Sequence, residues 1–169
     1  MLRPMGKPPS KKIEFHPIGI VHSPFTSLDG MPIQPKGGAA AEGFVEVLAE
    51  YQAGLKDLDG FSHVILLYHF HQVSRVELAV RPFLDEEPRG IFATRAPTRP
   101  NPIGLSVVRL VRIEGRRVYL ENIDILDGTP LLDIKPYVPQ FDRPEDVRVG
   151  WLSGKTDQIG TKESDARFK

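Results

Sequence analysis

The sequence predicts an all-β protein, an antiparallel β-barrel with long loops and little helix. Three observations carry that expectation. The 169 residues include 16 prolines and 15 glycines, above the average usage of roughly 5% and 7%, and most of them punctuate short apolar runs. Those runs alternate with period two, as in Val64, Leu66, Tyr68 and Phe70, the spacing that lines up side chains on one face of a strand. Helical periodicity is nowhere sustained, and no internal repeat is present. Many short strands closing into one sheet leave no sticky edge, and this length suffices for one domain with a real core.

The elements follow in order. Residues 1–12 are polar, proline-bearing and basic, with Lys7, Lys11 and Lys12, and read as a disordered N-terminal segment. The barrel domain is expected over residues 13–152, with a flexible tail at 153–169. A first strand spans 13–23, around a break at Pro17 and ended by Pro24. The Pro/Gly-rich stretch 25–43 is long for a compact domain, hence functional or mobile. Phe44, Val45 and Val47 mark a second strand, and Tyr51 to Leu58 a short helical turn before the Asp59–Gly60 turn. The strongest strand is 62–73, apolar on both faces and so covered twice, by the core and by a lid or a second subunit. Shorter strands at 76–80 and 91–94 flank the acidic group Asp85, Glu86 and Glu87. Residues 105–113 and 117–124 form a hairpin through Glu114–Gly115–Arg116, where glycine supplies positive φ. A turn at 127–130 leads into a last strand at 131–137.

No cysteine occurs, which excludes disulfides, thiolate-held zinc and a cysteine nucleophile. Lys plus Arg and Asp plus Glu number 22 each, for a formal net charge of +0, whereas a generic polyanion binder is usually basic overall. No apolar run reaches membrane-spanning length and the start lacks a secretory signal, so a cytoplasmic protein with no membrane partner is expected. A phosphate-cradling glycine loop, a dinucleotide fingerprint, a serine elbow and a zinc-protease helix are all missing.

The most informative segment is RGIFATRAPTRPNPIGL, Arg89 to Leu105, with three arginines, three prolines and no carboxylate. Each proline fixes its own φ and extends the residue before it, so a stiff loop should hold Arg95, Arg99 and Asn101 in place. Arg95 and Arg99 then suit a carboxylate or phosphate, and Asn101 an amide or base edge. The plainer alternative is a surface turn whose arginines cap carbonyls and pair with Asp85 or Glu86. His69 and His71 fall on one strand face, but without thiolates or a third ligand nearby no metal site is expected. His71 and Gln72 suit hydrogen bonds to a small ligand, or satisfy the strand end itself. Asp124 and Asp127 suit ribose hydroxyls or a cationic amino group, or an Asx turn closing a hairpin. Asp133, Lys135 and Tyr137 share a polar face opposite Leu132 and Ile134, which could hold a proton-transfer group or simply face solvent.

Taken in order, IGIVHSPF (18–25), DGFSHVILLYHFHQ (59–72), RGIFATRAPTRPNPIG (89–104) and DILDGTPLLDIKPYVP (124–139) closely resemble the TsaA-like family, whose best-understood members are the TrmO-type tRNA (adenine-N6)-methyltransferases. The resemblance spans roughly residues 13–140. It implies a β-barrel that binds S-adenosylmethionine near the interface of a homodimer and methylates N6 of threonylcarbamoyladenosine beside the anticodon of threonine tRNA. Carried over, the cofactor contacts fall on Pro35, Lys36 and Gly37, on His71 and Gln72, on Arg95 and on Leu105. The turn Asp124, Ile125, Leu126, Asp127 and Gly128 completes them. Arg95 then suits the cofactor's carboxylate, and Arg99 and Asn101 the substrate. Deprotonation of the weakly nucleophilic nitrogen needs a base, for which His69, Asp133 and Tyr137 are the candidates. Two other readings stay open: a methyltransferase acting on a small molecule or another RNA, and a cofactor-binding sensor without catalysis.

Overall fold

A computed structural model describes residues 12–28, 31 and 41–155. The readings made for residues 1–11, for Pro35, Lys36 and Gly37, and for the tail from 156 onward lie outside these residues.

Six strands close into an antiparallel barrel in the order β1-β2-β7-β6-β3-β8. These are β1 (Gly19–His22), β2 (Glu42–Val47), β3 (His63–His69), β6 (Ile103–Glu114), β7 (Arg117–Glu121) and β8 (Thr129–Pro136). Strands β4 (Ala79–Val80) and β5 (Arg89–Gly90) form a separate two-stranded ribbon. Among the described residues little helix is present: short 3-10 turns and the four-residue α1 (Pro139–Asp142).

Alternation sets which side chains enter the barrel. Val64, Leu66 and Tyr68 of β3, Val108 and Leu110 of β6, Val118 and Leu120 of β7 and Val45 and Val47 of β2 meet in one apolar cluster. The opposite face of β3 and β6 stays partly open, with Leu105 at 44% and Val111 at 46% exposure. Ile65 pairs with Val107 and Leu67 with Leu105 across the two strands, so these outward apolar side chains form a continuous stripe. The hairpin between β6 and β7 turns on Gly115 at φ 60°, the conformation glycine supplies without strain.

Several expectations change. The first strand begins only at Gly19, and β3 ends at His69 rather than at 73. Phe70 N–H still donates to the carbonyl of Pro102, but Pro100 and Pro102 have no N–H to return, so the ladder stops. The 91–94 segment is a 3-10 turn, Ile91–Ala93, not a strand. The carbonyl of Ile91 draws the backbone N–H of Thr94, its Oγ1 hydroxyl and the guanidinium of Arg99, which curls the chain. The face assignment in β8 holds for Asp133, Ile134 and Lys135 and changes at Leu132. A bulge lies where the β3 partners pass from Leu67 to Tyr68, opposite Asp133 and Leu131, so Leu131 rather than Leu132 is fully buried.

Candidate functional site

Where β3 ends and β6 begins, a cleft of about 880 Å³ opens, lined by residues of the 82–99 loop, the segment after β7 and the C-terminal turn. Volumes in this range suit a small ligand with mostly apolar walls and a few directing polar groups. His71, Gln72, Arg95, Leu105, Asp124, Ile125 and Leu126 all line it, and they come from four separate stretches of sequence.

Its inner wall depends on Gly104. A Cβ there would overlap the Tyr68 ring, at 2.8 Å from Cδ2 and closer still to Cε2 and Cζ, so glycine lets the phenol lie flat over β6. Tyr68 Oη sits 3.1 Å from Ser106 Oγ, and Ser106 Oγ donates to Asp124 Oδ1 at 2.6 Å. A serine hydroxyl has one hydrogen, so Tyr68 must donate to Ser106 in turn. Burial pushes the Asp124 carboxyl up to about 6, opposed by the Ser106 hydrogen bond and by the charge of Arg95. Burial, then the charge of Asp124, pushes the Tyr68 phenol well above its usual range. Among the described residues Asp124 makes no ion pair within 4.0 Å, and Arg95 makes neither a hydrogen bond nor an ion pair. Two opposite charges thus face the cleft without salt-bridge partners.

The outer wall is braced. Arg99 Nη1 donates to the carbonyls of Thr94 at 2.8 Å, Ile91 at 3.2 Å and Ala96 at 3.4 Å. Arg89 Nε and Nη2 both donate to Asp85 Oδ2, at 2.9 and 2.7 Å, and Lys155 Nζ lies 2.9 Å from Asp85 Oδ1. Trp151 Nε1 donates to the carbonyl of Ala93 at 2.7 Å. The carbonyl-capping alternative therefore describes Arg99 and the Asp85 pairing describes Arg89, while Arg95 lines the cleft with neither kind of contact.

The remaining sequence candidates divide. His71 N–H donates to the carbonyl of His69 at 2.8 Å, a tight turn; His71 lines the cleft and His69 does not. Asp127 and Gly128 do not line it either. Their N–H groups donate to the carbonyls of Phe25 and Val21, and Asp127 Oδ1 accepts from Ser23 N–H at 3.1 Å, so they tie the turn to the end of β1. Asn101 is exposed and lies outside the cleft lining, and the half-buried Asp133 and Tyr137 lie outside it too. Asp133 pairs with Lys135 at 2.7 Å, and Tyr137 stands edge-on to His63. Tyr68, Ser106 and Trp151 were missed as site residues. The available signal was a core-facing tyrosine, which needs a polar partner when buried. Among the described residues no group of three His, Cys, Asp or Glu side chains comes together as a metal site.

Residues 20–143 match the tRNA-methyltransferase O N-terminal domain. The chain belongs to the tRNA-methyltransferase O family. Within it, a Pyrococcus abyssi relative described as a probable S-adenosyl-L-methionine-binding protein is 53% identical over 154 residues, covering 91% of this chain and 84% of that protein. The human tRNA (adenine(37)-N6)-methyltransferase is 36% identical, over 78% of this chain but only 31% of the human protein. The crystal structure of TrmO from Pseudomonas aeruginosa superposes with a TM-score of 0.71 at 43% identity, covering 83% of this chain and 63% of that one. Trp151 and Lys155, which brace the cleft here, lie beyond the stretch shared with the family domain.

Proposed function

We propose that this chain is an S-adenosylmethionine-dependent methyltransferase acting on tRNA, at N6 of threonylcarbamoyladenosine beside the anticodon, and that it works as a cytoplasmic homodimer. The observation that carries the reading is the convergence of Arg95, His71, Gln72, Leu105 and Asp124 to Leu126 on one cleft. The donor set fits the cofactor: an unpaired guanidinium for its carboxylate, a carboxyl for its positive charge, and apolar walls for the adenosine. When bound, the cofactor would supply a methyl group carried on a sulfonium, with the neutral thioether as leaving group.

The protein's share is then alignment and exclusion of water. Arg95 fixes the charged end of the cofactor, and the Arg99 staple holds the loop that carries Arg95. An anticodon-loop base is already unpaired, so presenting it costs little compared with a duplex. A second copy covers the outward stripe of Ile65, Leu67, Leu105 and Val107, a patch that a monomer would leave wet. His69, Asp133 and Tyr137 lie on or beside the outward faces of β3 and β8, so in a dimer they accept the proton across the interface or not at all.

Mass spectrometry of nucleosides from threonine tRNA, in cells with and without this protein, tests the reading. The methylated form of threonylcarbamoyladenosine should disappear with the protein. Cofactor binding without methyl transfer to any RNA pool would favour a sensor instead. Arg95→Ala should lose cofactor binding with its circular dichroism unchanged; undiminished affinity would contradict the carboxylate role.

A further inference from the structure

We infer that the Asp124 carboxylate is the counter-charge to the cofactor's sulfonium, so that this cleft tells the methylated cofactor from its demethylated product by one unit of charge. The inference rests on the S-adenosylmethionine reading above and adds a role for one side chain.

Asp124 is held by Ser106 Oγ at 2.6 Å, itself held by Tyr68 Oη at 3.1 Å, so its carboxyl is oriented by a chain of hydroxyls rooted in the barrel core. It lines the cleft and makes no salt bridge among the described residues. A carboxylate in poorly solvated surroundings is costly unless a cation or enough donors reach it. Arg95 is the cation whose charge it feels, and that guanidinium suits the cofactor's carboxylate. The positive charge that remains to be met is brought by the ligand.

S-adenosylmethionine carries a sulfonium, an ammonium and a carboxylate. S-adenosylhomocysteine keeps the last two and has a neutral thioether. In methyl transfer the sulfur–carbon bond breaks with its electron pair returning to sulfur, a nitrogen–carbon bond forms, and the nitrogen's proton leaves to a base. The attraction to Asp124 therefore exists before transfer and vanishes after it, which favours release of the product.

Acidity enters because burial makes the Asp124 carboxyl hold its proton up to about pH 6. The groups facing it are Tyr68 from β3, Ser106 from β6 and Arg95 from the loop. His71 lines the same cleft, so the Asp124 contribution is the part of the pH dependence that Asp124→Asn removes.

The test is calorimetric binding of both ligands to the full chain and to Asp124→Asn, whose amide oxygen can still accept from Ser106. At pH 7 the variant should weaken S-adenosylmethionine by about tenfold and S-adenosylhomocysteine by less than about twofold. Between pH 7 and pH 5 the unaltered protein should lose about fivefold in affinity for the methylated cofactor as the carboxyl takes up a proton, and the variant should lose clearly less. Equal weakening of both ligands, or an unchanged ratio between them, would overturn the sulfonium role. If the unaltered protein binds neither ligand, the cofactor reading itself fails, which is a separate result.

Discussion

Replacing Gly104 by alanine pits backbone propensity against packing, and the structure decides the sign. Glycine within a strand is disfavoured relative to alanine by roughly 0.5–1 kcal/mol, so the backbone term alone favours the substitution. The added methyl, however, would occupy the space of the Tyr68 ring. Tyr68 is 6% exposed and wedged against Phe70 edge-on, so it has little room to retreat. Overpacking of this kind costs about 1–3 kcal/mol, and pulling Tyr68 Oη away from Ser106 adds about 1 kcal/mol. The net expectation is a loss of about 1–3 kcal/mol once the backbone gain is subtracted. Urea unfolding should give a lower midpoint with an unchanged slope. In a Tyr68→Ala background the methyl has space, and Gly104→Ala should become neutral or stabilising, a coupling that a double-mutant cycle measures directly. A stabilised single variant, or the same effect in both backgrounds, would refute the steric argument.

Three further outcomes are expected. Arg99→Ala removes a donor shared by three carbonyls and should lower stability by about 1–3 kcal/mol, with lysine a poor substitute for the planar fork; an unchanged melting temperature with lost tRNA methylation would make Arg99 a substrate ligand instead. The Lys155 ammonium and the Arg89 guanidinium hold the Asp85 carboxyl well below the usual carboxylate range, so its contribution is present above the unfolded value of about 3.9 and is lost as pH falls through the depressed folded value. The single tryptophan reports this: emission from Trp151 should hold steady from pH 7 to pH 4 and shift only in stronger acid, whereas Asp85→Asn should be shifted already at pH 7, and coincident curves would count against the clamp. Val107→Asp puts a charge into the outward stripe of β6 and should give a monomer by light scattering, with barrel circular dichroism retained; a dimer of undiminished affinity would move the interface elsewhere.

The barrel was legible because period-two alternation is a local signal: the buried face of β3 was read residue by residue, and Gly115 marked its hairpin. The strand ends were not, because they depend on partners. Nothing within 62–73 says that the ladder stops at His69; that follows from two prolines just before the strand facing it. The bulge opposite Tyr68 hides for the same reason, and it moved Leu131 into the core place expected of its neighbour. For the site, Arg95 and His71 stood out by type and setting. Arg99 shares the same composition and differs only in having carbonyls within reach, a fact of folding rather than of sequence. Ser106 looked like an ordinary small residue on a strand, since its role exists only once Tyr68 and Asp124, 18 residues further along, arrive on either side of it.

The tie between Ser23 and Asp127 spans 104 residues of chain and sits at the seam where β1 meets β8. Half of the 124–128 turn hangs from that seam, so the cleft wall formed by Asp124, Ile125 and Leu126 is complete only once β1 and β8 have met. Long-range closure of this kind is slow. Ligand added during refolding should therefore leave the rate of barrel closure unchanged and act only by slowing the reverse step.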